Sequence, residues 1–295
     1  MVKQILFQSN FKKHMRSFFG QSFYTKIALL PQSDVVKQSL KTLYDLGYDT
    51  PYSSWPTVVA IEINAHCNRK CVYCPNHNYD RTGGQQGFLD ESLFQAIIDD
   101  LAMHGYYRSI YYHIYNEPLL DERLPEFIAY TRERLPEATI DIYTNGDFLD
   151  IGVYHTLIQR GADRFVISLH GEKPSPNLRD TLRHLPPKEK TATLMIMDTF
   201  RDYKAKKNGF FNRGGAIITH RKQRRSQFCP FVLDCNINFK GDVILCCNDF
   251  FGDYIFGNVK NRPLSEIWFD KEYINLRNRV TFGDREFKLC KRCNV

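Results

Sequence analysis

Residues 58–75 read VVAIEIN-AHCNRKCVYCP, a Val/Ile-rich run that breaks into a loop carrying Cys67, Cys71 and Cys74. The apolar half has the composition of a strand buried on both faces. The second half sets three cysteines in a C-x3-C-x2-C arrangement on the strand-to-loop transition. In parallel α/β folds ligands gather at the carboxyl ends of strands, because loops and helix N-termini converge there. Three thiolates converging at such an end point to a metal centre.

Outward from this stretch the chain repeats a simple unit, an apolar strand followed by an amphipathic helix, the pattern of a parallel sheet with helical crossovers. Further strands are expected at Ser109–Tyr115, Thr139–Thr144, Arg164–His170 and Thr191–Met197, with a sixth at Ala216–Thr219. Between them Asp90 is suited to N-cap a helix with Leu93, Phe94, Ile97, Ile98 and Leu101 on one face, ended by Gly105. A second helix is expected from about Glu122 to Leu135. A third starts near Asp150, turns Ile151, Tyr154, Leu157 and Ile158 inward, and stops at Gly161. The expectation is an α/β fold, a partial (β/α)6 TIM-like barrel.

Three cysteine ligands suit a 4Fe-4S cluster whose fourth iron has no protein ligand and is left open to a chelating small molecule. A structural zinc ion normally takes four protein ligands and would have to recruit His66 or His77. The cysteine spacing, with the aromatic Tyr73 just before the third cysteine, resembles the signature of the radical S-adenosylmethionine (SAM) superfamily. That resemblance implies that the open iron binds SAM and that a low-potential donor, a flavodoxin or ferredoxin, supplies an electron. SAM is then split into methionine and a 5′-deoxyadenosyl radical that removes a hydrogen atom from an unactivated C–H bond.

More of the family pattern follows on later strands. Tyr115-Asn116-Glu117-Pro118-Leu119-Leu120 resembles the superfamily's Gly-Gly-Glu-Pro segment, with Asn116 in place of the second glycine. By resemblance Glu117 accepts a hydrogen bond from the SAM ammonium, a pairing strengthened because both partners are charged. Thr144-Asn145-Gly146 and Ser168-Leu169-His170-Gly171 close the next two strands. The resemblance makes Tyr73, Asn116, Asn145, Ser168 and His170 SAM-contact candidates, although small polar residues after strands also serve plain turn chemistry.

Six further cysteines come after residue 228: Cys229, Cys235, Cys246, Cys247, Cys290 and Cys293. Gly241-Asp242 suits a hairpin turn before a strand at Val243–Leu245, and Cys290-Lys291-Arg292-Cys293 adds a C-x2-C. This order resembles the Twitch subdomain, the shortened form of the SPASM extension of radical SAM enzymes, a β-hairpin plus helix holding one auxiliary 4Fe-4S cluster. The implied ligands are Cys229, Cys246, Cys290 and Cys293, with Cys235 and Cys247 unassigned. A zinc ribbon on the same four sulfurs is the alternative that spacing leaves open.

Asn212-Arg213-Gly214-Gly215 lies between core and extension, where glycines permit close backbone approach and an arginine can clamp a carboxylate or position a hydroxyl. The spacings and this arginine resemble radical SAM Twitch enzymes that oxidise an aminocyclitol alcohol to a ketone. By that resemblance Arg213 touches SAM or substrate, and either Arg213 or Asp249, three residues past Cys246, takes the hydroxyl proton. Arg201, Lys204, Lys206, Lys207, Arg221, Lys222, Arg224 and Arg225 form a basic stretch suited to a phosphate or nucleotide on the substrate, or simply to solvent. Modification of a ribosomally made peptide is the competing reaction class, and a chain that binds metal without chemistry is a third.

The bulk numbers agree with an enzyme. A chain of 295 residues with 43% hydrophobic content can bury a substantial core, and its net charge of +7 demands no nucleic-acid partner. Nine cysteines and no recognisable export signal suit a reducing, cytoplasmic setting in which thiols ligate metal. No uncharged run is long enough to span a membrane. The organisation expected is a helical extension at 1–50, a core at 51–220 and an auxiliary-cluster domain at 221–295, with no nucleic acid among the partners.

Overall fold

Val58–Ile61 (β1), Ser109–Tyr111 (β2), Thr139–Thr144 (β3), Arg164–Ser168 (β4) and Leu194–Met197 (β5) form the five strands expected of the core. The structure is a computed structural model that describes residues 55–84, 86–205, 211–219, 229–281 and 283–294. The expected extension at 1–50 and the basic residues Lys206, Lys207, Arg221, Lys222, Arg224 and Arg225 lie outside the described residues. The five strands pair in parallel in the order β5-β4-β3-β2-β1.

Helices Glu91–Met103 (α1), Leu124–Arg134 (α2), Ile151–Arg160 (α3), Pro176–His184 (α4), Pro187–Thr193 (α5) and Thr199–Ala205 (α6) make the crossovers. Side-chain caps set their starts. Asp90 accepts from the Ser92 amide, Asp150 from that of Val153 and Ser175 from that of Leu178. Phe94, Ile97, Ile98 and Leu101 of α1 are buried against Val59, Ile61 and Ile110 of the sheet. Because side chains alternate along a strand, the opposite face of the sheet carries Val58, Ala60, Tyr111 and Tyr143.

The sixth strand expected at Ala216–Thr219 is not formed. Arg213–Gly215 is a 3-10 turn in which Arg213, Gly214 and Gly215 all have positive φ, at 49°, 62° and 90°. Such curled backbone cannot enter a ladder, and Ile218 after it is 96% exposed. The sixth parallel place is taken by Cys235–Ile237 (β6), which pairs with β1 on its other side.

From β6 the chain turns back at Asn238–Gly241 into Asp242–Ile244 (β7) and then Ile255–Asn258 (β8), both antiparallel. The C-terminal module thus continues the core sheet as its far edge, giving the order β5-β4-β3-β2-β1-β6-β7-β8. Leu264–Trp268 (α7), Lys271–Thr281 (α8) and Lys288–Arg292 (α9) complete it. Among the described residues no helix is long and apolar enough to cross a membrane.

Candidate functional site

β1 stops at Ile61, and the cysteine loop begins six residues later at the carboxyl end of the sheet. Cys67, Cys71 and Cys74 are half-buried. Burial pushes the Cys67 thiol up to about 11, and the charges of Cys71, Cys74 and Glu117 act in the same direction. A metal centre would supply positive charge, and assembly would release protons.

Two latches hold this loop against the next strand ends. Arg69 forks onto Asp147, Nε to Oδ2 at 2.7 Å and Nη2 to Oδ1 at 2.6 Å, and Asn68 Nδ2 reaches the same carboxylate at 2.7 Å. Asn145 Nδ2 returns a bond to Asn68 Oδ1 at 2.8 Å. Sequence reasoning missed Asp147. Its only sequence signal is an acid just beyond the Thr144-Asn145-Gly146 strand end, opposite a cationic cysteine loop.

Glu117 is buried at the N-terminus of the 3-10 turn Pro118–Leu120. Its Oε1 accepts from Thr144 Oγ1 at 2.7 Å and from the Leu119 amide at 3.1 Å, and its Oε2 from the Asn145 amide at 2.7 Å. Burial pushes the carboxyl up to about 7, against the pull of those three donors. An Oε2 with one donor keeps a lone pair for a cationic ligand. Asn116 differs: its amide bonds the Tyr112 carbonyl at 3.1 Å and the Ile114 N–H at 3.2 Å, so this side chain shapes the turn.

Tyr73 Oη lies 2.8 Å from His170 Nδ1, bringing the cysteine loop to the end of β4. Burial drives His170 down to about 4, with the charges of Arg69 and Arg213 adding to the shift. Ser168, the last residue of β4, is half-buried on the same side of the alternation as His170. Tyr73, Glu117, Asn145, Ser168 and His170 thus occupy the carboxyl ends of four strands around one loop.

His113, which sequence reasoning missed, joins Tyr115 and the expected Arg213. His113 is stacked on Tyr143, with ring centroids 4.6 Å apart and planes 8° from parallel. The Arg213 guanidinium lies 6.0 Å from the centre of the Tyr115 ring, and its charge acts on Cys74, His113, Tyr115, His170 and Cys247. His113 Nδ1, Tyr115 Oη and Arg213 Nε are buried with no hydrogen-bond partner among the described residues. Unsatisfied buried polar atoms are costly, and one on the Arg213 cation with two on residues its charge reaches suit a polar ligand.

The turn that presents Arg213 is clamped by the C-terminal segment. Asn212 Nδ2 donates to the Arg292 carbonyl at 2.6 Å, and the Asn212 amide to Asn294 Oδ1 at 2.8 Å. A Cβ on Gly214 would strike the Leu289 side chain and meet the Asn248 carbonyl at 2.7 Å, at a φ of 62°. Gly214→Ala is therefore expected to cost about 1–3 kcal/mol, the range for overpacking. The check is a lower Tm together with weaker retention of iron at the C-terminal cysteines.

Cys229, Cys246, Cys290 and Cys293 line one cavity, closed by Phe231, Val232, Leu245, Val280 and Leu289, with Asn248 and Arg285 as its polar members. Neither Cys235 nor Cys247 lines it. Cys235 is fully buried in the main core on β6. Among the described residues no three His, Cys, Asp or Glu side chains converge closely enough to share a single ion. A cubane whose sulfur ligands each bind a different corner fits a cradle lined by four cysteines.

Asp249 is buried, and its carboxylate accepts from the Asp253 amide at 2.9 Å and the Tyr254 amide at 3.0 Å. It organises the loop after Cys246. Of the basic stretch, Lys204 pairs with Glu172 at 2.8 Å on α6.

Comparison with known proteins agrees with this geometry. The family model of the radical SAM superfamily matches residues 61–212, and that of the SPASM iron-sulfur cluster-binding domain matches residues 229–294. The S-adenosyl-L-methionine-dependent 2-deoxy-scyllo-inosamine dehydrogenase of Niallia circulans is 31% identical over 244 residues, 81% of this chain and 92% of that protein. The crystal structure of BtrN in complex with AdoMet and 2-DOIA superposes with a TM-score of 0.72 at 27% identity, covering 82% of this chain and 94% of that one. Native anSMEcpe with bound AdoMet shares the fold at a TM-score of 0.54 and 13% identity, over 80% of this chain and 88% of that one.

Proposed function

The chain belongs to the radical SAM superfamily and carries a SPASM-type iron-sulfur domain after its core, and on that footing we propose that it oxidises a secondary alcohol of a small aminocyclitol- or sugar-like substrate to a ketone. The observation that carries the reading is the set of unsatisfied polar atoms on His113, Tyr115 and Arg213, whose cation also acts on Cys74. Similarity along 92% of a dehydrogenase named for an aminocyclitol supports it.

When bound, the iron-sulfur groups supply the electron that cleaves SAM at the first site and a sink at the second for the electron left after hydrogen removal. The alcohol carbon loses a hydrogen atom, the hydroxyl loses a proton and one electron departs, so the product is a ketone. The protein's part is placement. Cys67, Cys71 and Cys74 hold the first cluster, and Cys229, Cys246, Cys290 and Cys293 the second. Glu117 takes the SAM ammonium. Tyr73, Asn145, Ser168 and His170 border the rest of SAM, and Asn116 contributes through its turn.

Arg213, whose charge acts on Cys74 of the first site, is assigned to the reacting hydroxyl, where that charge favours loss of the proton. Asp249 is assigned to bracing the Cys246 loop, where its carboxylate holds the amides of Asp253 and Tyr254. A flavodoxin- or ferredoxin-type donor and a cytoplasmic setting belong to the same reading, because the chemistry needs low-potential electrons and free thiols.

The test uses 2-deoxy-scyllo-inosamine deuterated at its carbinol carbons, given anaerobically with SAM and dithionite to the iron-loaded protein. Deuterium in 5′-deoxyadenosine and a ketone product are expected. Formation of 5′-deoxyadenosine without deuterium, here and with related aminocyclitols, contradicts the substrate assignment.

The Glu117 assignment has a pH signature. Its carboxyl is raised from 4.5 to about 7, so between those values the folded protein binds more protons than the unfolded chain. Its contribution to stability therefore falls as pH rises across that window. Only the carboxylate pairs with an ammonium, so SAM affinity measured by calorimetry is expected to tighten from about pH 6 to about pH 8. Glu117→Gln is expected to flatten that dependence.

A further inference from the structure

Arg285 sits in the loop between α8 and α9, 9% exposed, on the wall of the cavity bounded by the C-terminal cysteines. It lines that cavity together with all four cysteines, and its charge acts on Cys229 and Cys290. The one other polar liner, Asn248, is neutral. The neighbouring acid, Asp284, acts on Cys290 in the opposite sense, but it does not line the cavity and accepts from Arg279 Nε at 2.7 Å.

Guanidinium is the cation that tolerates such a place, because it stays charged when buried and is weakly hydrated. A four-iron cluster on four thiolates carries net negative charge and gains one more on reduction. A fixed cation at the cavity wall stabilises the reduced form more than the oxidised one, since charge near iron-sulfur groups sets their potentials.

We propose that Arg285 is a positioning and tuning residue of the auxiliary site, one that raises the reduction potential of the cluster held by Cys229, Cys246, Cys290 and Cys293 and so makes it a competent electron acceptor. The inference rests on the two-cluster reading above and adds a residue to it. Arg285 is the one charged residue lining the cavity, and the liners other than the cysteines are apolar apart from Asn248, so little solvent screens the effect.

The test is anaerobic redox titration of the reconstituted full chain, followed by electron paramagnetic resonance. A Cys71→Ala background leaves the auxiliary cluster as the one observed. Arg285→Gln is expected to shift the reduced-to-oxidised ratio at fixed potential by at least about tenfold toward oxidised, a drop of about 59 mV for one electron. Arg285→Lys, whose ammonium the adjacent anionic cluster holds protonated, is expected to stay within about threefold of the parent. An unchanged potential in Arg285→Gln overturns the proposal. If Arg285→Gln fails to hold the cluster, Arg285→Lys decides: a potential near the parent supports the charge account, and a tenfold shift contradicts it. Loss of the cluster in both variants also overturns it and makes Arg285 a structural group. A parent chain holding zinc or no auxiliary iron would refute the two-cluster reading, a different and separable result.

Discussion

Cys71→Ala, reconstituted anaerobically, is expected to hold about four irons per chain where the parent holds about eight, and to release no 5′-deoxyadenosine from SAM. The argument is one of ligand count. A cluster on Cys67, Cys71 and Cys74 has no spare protein ligand, so removing one leaves two sulfurs on a half-buried loop. The C-terminal cysteines line a cavity of their own and keep their four irons. Cys290→Ala is the reciprocal control. It is expected to lose the auxiliary irons and ketone formation while retaining reductive cleavage of SAM, because the rim around Glu117 is untouched. Iron and sulfide counts with chromatographic 5′-deoxyadenosine assays separate the two.

Arg81→Ala carries the largest expected cost in stability, about 3–5 kcal/mol, the range for stranding one partner of a buried ion pair. Glu62 is fully buried on the chain just past β1, and Arg81, 10% exposed at its side chain, meets it with two hydrogen bonds. Glu62 Oε1 also receives the Tyr115 amide at 3.0 Å. The same guanidinium lies 5.3 Å from the Tyr115 ring centre and 4.6 Å from that of Phe250. One side chain thus ties the segment after the cysteine loop to the β2 end and to the loop beyond β7. Because the cost comes from an uncompensated carboxylate, Arg81→Met with Glu62→Met is expected to be less damaging than Arg81→Ala alone. Urea midpoints of the apo-protein read the difference, and strict additivity of the single changes would contradict the pairing.

The strands were legible in sequence because most run two to five Ile, Val, Phe or Tyr residues between turn formers, and Asp90 and Asp150 announce helix starts that the structure caps with those carboxylates. Ala216–Thr219 misled because Ala-Ile-Ile-Thr has strand composition, yet the curled Arg213–Gly215 turn before it is pinned to Asn294 and Arg292 from the far end of the chain. No local pattern reveals a partner 80 residues away. The short Cys235–Ile237 strand was hidden for the same reason, since its identity comes from docking on β1.

The cysteine groups were readable from spacing, a local property. The residues that serve them were not, because Asn68, Arg69 and Asp147, or Cys229 and Arg285, meet only when distant segments fold together. Glu62 could have been noticed, since an acid inside VVAIEIN demands a buried partner. The stacking of His113 on Tyr143 could not, because a histidine between tyrosines and isoleucine reads equally well as an exposed strand position.

The central claim is that the first cysteine loop supports reductive cleavage of SAM. The most direct measurement is incubation of the anaerobically reconstituted chain with SAM and dithionite, with quantitation of 5′-deoxyadenosine and methionine. The account predicts both products in equal amounts, dependent on iron loading. A chain that carries its full iron complement and leaves SAM intact, or that binds zinc at these cysteines in place of iron, would contradict it.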